Sequence, residues 1–173
     1  MLGFLGSGER VRQALQSWLV RHPSDTPMRA TLAHWQAQDG LWEEARASLR
    51  LCLAQSAHQA STWFNLGFVC EHLKRSVEAE QAFRRAVDLD PLLDRAWYGL
   101  ALSLIAQDRL REAAPPLEVN TRLQPMSPHG WYQLARVHAD LGALDEARHI
   151  IRRLRQFEPK IATQLELETG LTP

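Results

Sequence analysis

The sequence predicts an all-α solenoid in which one helix pair is copied along the chain. Tryptophans recur every 34 residues, at Trp63, Trp97 and Trp131. Two further columns keep the same spacing, and their members are Pro91, Pro125, Pro159, Ala79, Ala113 and Ala147. A fixed period of this length indicates one supersecondary unit that is repeated and stacked. Because such a fold offers extended surfaces and not one buried pocket, we expect a binding protein.

The register defines four repeats, at residues 26–59, 60–93, 94–127 and 128–161. Two columns keep this 34-residue spacing through all four repeats. One consists of Leu32, Leu66, Leu100 and Leu134, and the other of Glu44, Glu78, Glu112 and Glu146. Within residues 60–93, apolar residues fall three and four positions apart in two separate runs, which predicts two amphipathic helices. Pro91 ends the second run, since proline has no N–H and disfavours helical geometry before it. Each repeat is therefore predicted to be an antiparallel helix pair.

The two ends of the chain are predicted to cap the repeats, with a swapped or partner-binding helix as the alternative. Residues 1–25 would form a lead-in and a capping helix over Glu9–Val20, and residues 162–173 a capping helix and tail, with the helix over Ile161–Glu168. Terminal repeats need a polar outer face, which the polar residues of the last segment supply. The first six residues are apolar, but too few for a membrane span or for a signal peptide's apolar core.

Three residues of the third repeat break the pattern. Pro115 and Pro116 fall inside the expected second helix of the third repeat, where an interior proline costs on the order of 3 kcal/mol. We therefore expect this helix to begin late, near Ala114, or to kink there. Asn120 stands where the preceding repeat has Ala86. Its amide would need a hydrogen-bond partner at a helix contact.

Composition sets limits on partners and compartment. Twenty basic and twenty acidic residues cancel, so the positive field that drives nucleic-acid binding is missing and no nucleic-acid partner is expected. Cys52 and Cys70 fall at interior helical positions, which favours buried thiols in a reducing compartment. We expect a cytoplasmic protein, or a periplasmic or membrane-tethered one if an N-terminal segment has been removed. Direct insertion into a membrane is not expected.

The run Trp63-Phe64-Asn65-Leu66-Gly67, followed by Ala79, Phe83, Ala86 and Pro91, resembles the tetratricopeptide repeat. The pattern recurs at Trp97–Ala101 and at Trp131–Ala135, and the resemblance covers residues 26–161. It implies a right-handed superhelix that binds proteins or peptides in a concave groove. The first repeat departs from the pattern, because Arg29 stands in the tryptophan column and Ala57 in the proline column.

The resemblance also implies that the first helix of each repeat lines the groove. The candidate peptide-binding residues are Phe64, Asn65, Phe68, Arg95, Tyr98, Leu102, Tyr132, Gln133, Arg136 and His34. They describe an aromatic floor with a basic edge, where Asn65 could hold a peptide backbone and Arg95 or Arg136 a carboxylate. Asn65 and the two tyrosines are also frequent in the family whatever the ligand, so they carry less information than Phe68 and Leu102.

No catalytic activity, cofactor or metal is expected. The seven histidines are scattered over different helices and loops, without metal-ligand spacing on one face or a cysteine cluster beside them. No glycine-rich phosphate loop follows a strand. The basic run of Arg152, Arg153 and Arg155 fits a solvated helix face, with contact to an acidic partner as the alternative.

The sequence favours a non-enzymatic scaffold or adaptor that binds a linear peptide segment of a partner protein, for example a bacterial assembly factor or chaperone. Two alternatives stay open. The chain could be the targeting domain of a larger enzyme, whose chemistry lies outside these residues. It could also be a self-associating scaffold that forms homo-oligomers, because Trp18 and Trp42 lie outside the main tryptophan column.

Overall fold

A computed structural model describes residues 7–172, which form ten α-helices joined by turns and contain no strand. The helices are α1 Ser7–Arg21, α2 Thr26–Gln38, α3 Trp42–Gln55, α4 Ala60–His72, α5 Ser76–Leu89, α6 Asp94–Ile105, α7 Leu110–Leu123, α8 Pro128–Asp140, α9 Leu144–Phe157 and α10 Pro159–Thr169. Helices α1 and α10 lie where helices were predicted, at Glu9–Val20 and Ile161–Glu168, and their capping role stays a prediction. The predicted lead-in Met1–Gly6 and the last tail residue, Pro173, lie outside the described residues.

The chain divides into two compact units, Met1–Asp90 and Pro91–Pro173. In the first unit, each helix from α1 to α5 packs on the next one along the chain. In the second unit, α6 to α10 do the same, and α10 also packs on α8. Contacts between sequence neighbours are typical of repeat proteins. Helices α2 to α9 fall in pairs inside the four predicted repeats, whose boundaries we keep as a proposal.

Small residues let the helices of the first unit approach closely. Ala45, Cys52, Cys70 and Ala79 are completely buried. At Gly67 a Cβ atom would lie 2.7 Å from the ring of Phe83, so no larger residue fits without a shift. The ring of Phe83 fills the space that Gly67 leaves.

An ion-pair network joins α3 to the start of α5. Arg46 contacts Glu43 at 2.9 Å and Glu78 at 3.1 Å. Arg75 contacts the same two carboxylates, at 3.0 Å and 2.9 Å. Single exposed pairs contribute little, but a closed network of four charges holds its members in place better than isolated pairs do.

The tryptophan column anchors each helix pair to the preceding turn. The indole N–H of Trp63, Trp97 and Trp131 donates to the backbone carbonyl six residues earlier. The acceptors are Ala57 at 2.8 Å, Pro91 at 2.8 Å and Pro125 at 3.0 Å, respectively. Arg29, which replaces the tryptophan of the first repeat, donates in the same way to Pro23 O at 2.7 Å. The substitution therefore keeps the anchoring hydrogen bond, while the Nε of Arg29 is buried without a partner.

The late start expected for the second helix of the third repeat is wrong. Helix α7 begins at Leu110 and continues through Pro115 and Pro116 to Leu123. Residues with an N–H at these two positions would donate to the carbonyls of Arg111 and Glu112, which are exposed residues near the start of the helix. Water can therefore satisfy those carbonyls. The buried residues that hold this helix in place are Ala113, Ala114, Pro116, Leu117, Asn120 and Thr121.

Candidate functional site

In the first compact unit, the predicted site residues of α4 lie on one side of that helix, away from buried Leu66 and Cys70. Asn65 is exposed and Phe68 is 42% exposed. Phe64 is partly buried, with its ring centroid 5.9 Å from that of Phe83. Phe64 thus belongs in part to the core, whereas Asn65 and Phe68 are accessible to a partner.

Phe68 belongs to a cluster of three rings that we call the aromatic cluster: Trp42, Phe68 and His72. The imidazole of His72 stacks on Trp42, with the ring centroids 4.0 Å apart. The ring of Phe68 lies 4.4 Å from His72 and 6.3 Å from Trp42. His72 Nδ1 is 2.9 Å from Phe68 O, and since a carbonyl only accepts, this nitrogen donates and carries the proton.

Two members of the aromatic cluster, Trp42 and His72, are not among the site residues predicted from the sequence. Phe68 and His72 are four residues apart on one helix, a spacing that could have indicated their contact. Trp42 lies at the start of α3, and only tertiary packing brings it to α4. His34, the predicted site residue of α2, is exposed and has Trp35 as its ring neighbour, at 6.4 Å edge to face.

In the second compact unit, α6 presents Arg95, Tyr98 and Leu102. Arg95 is exposed, while Tyr98 and Leu102 are partly buried. The opposite side of this helix is fixed in the core by Leu100 and Leu104. Tyr98 and Leu102 lie four residues apart and therefore on one side of α6.

Helix α8 presents Tyr132, Gln133 and Arg136. Tyr132 has a hydrogen-bond partner within the chain. The phenol O–H of Tyr132 donates to Glu168 Oε2 of α10 at 2.6 Å. The guanidinium carbon of Arg136 lies 5.8 Å from the centroid of the Tyr132 ring, within cation–π range. Gln133 is partly buried and Arg136 is exposed. Tyr132, Arg136 and Glu168 thus form one polar group, which we call the Tyr132 site.

The charges at the Tyr132 site influence each other's protonation. The hydrogen bond from Tyr132, followed by one from Gln164, lowers the pKa of Glu168, and attraction to Arg136 adds to this. The same hydrogen bond raises the pKa of Tyr132, because the carboxylate favours the neutral phenol that donates to it. At neutral pH the site therefore combines a phenol donor, a cation and a bound carboxylate.

The basic run predicted on α9 is partly engaged within the second unit. The guanidinium carbon of Arg153 lies 4.4 Å from the ring centroid of Trp131, and Arg155 pairs with Glu166 of α10. Arg152 is exposed. Across residues 7–172, no three His, Cys, Asp or Glu side chains are grouped as a metal ion would require. In the same part of the chain, every helix is too short or too polar to cross a bilayer.

Comparison with known families assigns tetratricopeptide repeats to residues 60–93 and 98–160, together more than half of the sequence. The chain belongs to the tetratricopeptide repeat family. It is 28% identical over 138 residues to the tetratricopeptide repeat-containing protein trd-1 of Caenorhabditis elegans, covering 80% of this chain and 18% of that one. It is 29% identical over 116 residues to the protein O-mannosyl-transferase Tmtc3 of Drosophila melanogaster, covering 66% and 12%. The chain thus spans less than a fifth of the length of either relative.

Solved structures share the fold. The crystal structure of MamA superposes with a TM-score of 0.81 and 18% identity, covering 94% of this chain and 86% of that one. YrrB, described as a TPR protein with an unusual peptide-binding site, superposes with a TM-score of 0.78 and 18% identity, covering 92% and 85%. At this level of identity the likeness shows the fold alone, and it confirms the predicted solenoid class.

Proposed function

We propose that the chain is an adaptor that binds a linear peptide segment of a partner protein through the first helix of its repeats. The main observation behind the proposal is that Phe68, a member of the aromatic cluster, is 42% exposed to solvent. An exposed ring supported by two other rings is typical of an interface anchor. Family membership supports a scaffold role, and the description of YrrB supports a peptide as the ligand.

Each compact unit, taken by itself, supplies groups that a peptide could contact. In the first unit, the aromatic cluster would receive apolar side chains, and the exposed amide of Asn65 would hold the peptide backbone. In the second unit, Tyr98 and Leu102 would receive apolar side chains as well. Arg136, Gln133 and Tyr132 would bind a polar or acidic group.

We propose a non-catalytic assembly factor or chaperone that acts on a protein partner and does not bind nucleic acid, because its twenty basic and twenty acidic residues cancel. A cytoplasmic location is proposed from Cys52 and Cys70, which are both buried and unpaired. Self-association stays an alternative that a sedimentation measurement over a range of concentrations would detect.

A second candidate function is that of a repeat module within a larger enzyme. It is favoured by the 29% identity to Tmtc3, a protein named as a transferase, of which the matched region is 12%. In that case the repeats would recruit a substrate or partner, and the chemistry would lie in another part of the polypeptide. A reading frame that continues into a catalytic domain would favour this alternative over a free-standing adaptor.

Substitution of Phe68 and Tyr98 tests the proposal. We expect Phe68→Ala and Tyr98→Ala each to weaken capture of the partner by at least about tenfold, because truncation of an aromatic anchor removes its apolar contact. Binding would be measured by affinity capture on the purified chain, with mass spectrometry to identify the lost protein. Helicity, measured by circular dichroism, should stay unchanged.

Two variants serve as matched controls because they remove exposed apolar side chains elsewhere. Val77 on α5 is 57% exposed and Met126, between α7 and α8, is 68% exposed. Val77→Ala and Met126→Ala should retain capture. Undiminished capture by both the Phe68 and the Tyr98 variants would reject the first-helix faces as the binding surface.

A further inference from the structure

The carboxylate of Glu168 is held by donors that would serve an external acidic ligand equally well. Tyr132 donates to Oε2 at 2.6 Å and Gln164 Nε2 donates to Oε1 at 2.8 Å. Arg136 lies beside the phenol ring and attracts the same charge. Hydrogen bonds to an ionised acceptor belong to the stronger class. The second compact unit therefore has a carboxylate-binding group on the face of α8 that carries the predicted peptide-binding residues.

Displacement of Glu168 would not require α10 to leave its place. The helix is fixed by Ala162 and Leu165, which are completely buried. Glu168 itself is exposed, and a polar contact at an exposed position contributes little to stability. An external carboxylate can therefore compete for Tyr132 while the hydrophobic docking of α10 persists.

A recess beside the Tyr132 site offers space for the residues next to such a carboxylate. It is open to solvent, and its lining consists of Arg136, Ala139, Asp140, Leu144, Glu168 and Thr169. Leu144 is 41% exposed there and can receive an apolar side chain. Asp140 would repel a second acid. The lining therefore fits one acidic residue with an apolar neighbour, the combination that the chain itself carries at Leu167 and Glu168.

We propose that Tyr132 and Arg136 form a carboxylate-binding subsite, which Glu168 occupies from within the chain, and that the partner is an acidic peptide segment that displaces Glu168. This inference rests on the proposed function, since it names the chemistry of the peptide bound by the same face. It also gives α10 a second role, in which the helix caps the repeats and competes with weak ligands.

The test uses the full chain, labelled with nitrogen-15, and a synthetic hexapeptide copied from residues 164–169, QLELET, with blocked ends. Binding is followed by NMR at the side-chain Nε–H of Arg136 and the backbone amide of Tyr132. We expect the Glu168→Gln variant to bind this peptide about fivefold more tightly than the unaltered chain, because the internal competitor is weakened. The peptide QLELQT, which lacks the second carboxylate, should bind that variant several-fold more weakly.

Glu166→Gln is the matched control, because it removes a carboxylate of α10 that pairs with Arg155 and not with Tyr132. It should bind QLELET as the unaltered chain does. Tyr132→Phe provides a second measurement if Glu168→Gln does not fold: the pKa of Glu168, followed by carbon-13 NMR, should rise once the phenol donor is gone.

Equal affinity of the Glu168→Gln variant and the unaltered chain for QLELET would overturn the subsite. So would equal binding of QLELET and QLELQT to that variant, or shift changes confined to residues away from α8. None of these results would affect the outcome of the capture experiment with Phe68→Ala and Tyr98→Ala. The subsite and the proposed function can therefore fail separately.

Discussion

Asn120 is tolerated at a buried helix contact because Gly130 leaves room for its side chain. Asn120 is only 5% exposed, and its Nδ2 donates to Asp94 O at 2.9 Å, so the amide has the partner that the sequence analysis required. A Cβ atom at Gly130 would lie 2.1 Å from Asn120 Oδ1. The same two columns hold Ala86 and Ala96 one repeat earlier. The pair of substitutions thus keeps the volume of the contact while adding one hydrogen bond.

At this scale we predict that Gly130→Ala lowers the free energy of unfolding by about 1–3 kcal/mol, the usual cost of overpacking a close contact. The added methyl group would displace the Asn120 amide and break its hydrogen bond to Asp94. Urea unfolding followed by circular dichroism measures the change. In an Asn120→Ala background the same substitution should cost much less. An equal cost in both backgrounds would show that the two residues do not compete for the same space.

Helix α4 carries a partly buried acidic group close to its predicted binding face. This group is Glu71, next to His72 at the end of the helix. Burial raises the pKa of Glu71 to about 7, and the nearby Lys74 offsets only part of this effect. An acidic side chain near the aromatic cluster therefore keeps its proton under mildly acidic conditions.

For this element we predict that the unfolding free energy falls as the pH rises from about 4.5 to about 7. In that range the unfolded chain has released the Glu71 proton while the folded chain still holds it, so rising pH favours unfolding. Glu71→Gln should remove this decline, as measured by urea midpoints at several pH values. Glu78→Gln is the contrasting control, because the pKa of Glu78 is shifted in the opposite direction. The hydrogen bond from Arg75 lowers it, so the stability that the Glu78 carboxylate gives to the folded chain is lost only at lower pH. A decline that persists in Glu71→Gln would assign it to another group.

At the scale of the whole molecule, the 34-residue columns predict the helix pairs because their members are core residues, such as Leu100 and Ala113, whose burial requires that spacing. The columns could not predict α7, because the cost of Pro115 and Pro116 is local whereas the packing that outweighs it is tertiary. The same limit applies to the site. The position of Phe68 in the repeat identifies it as a candidate, but its contact with Trp42 depends on how α3 meets α4.

The contact between Tyr132 and Glu168 shows most clearly what the sequence pattern cannot predict, since 36 residues separate the two side chains. The sequence predicts a polar capping helix at the end of the chain, but not that one of its carboxylates reaches a predicted site residue. Tyr132 itself stays a predicted ligand-binding residue. Its role now depends on whether a partner can replace Glu168.

Photocrosslinking reports which face of the chain touches a partner, even when the identity of that partner is unknown. A photoreactive phenylalanine analogue would replace Phe68, Tyr98, Val77 or Met126, one position at a time, and the crosslinked segments would be identified by mass spectrometry. We expect crosslinks from positions 68 and 98 to a linear segment of another protein, and none from positions 77 and 126. Crosslinks from positions 77 or 126 alone would contradict this expectation.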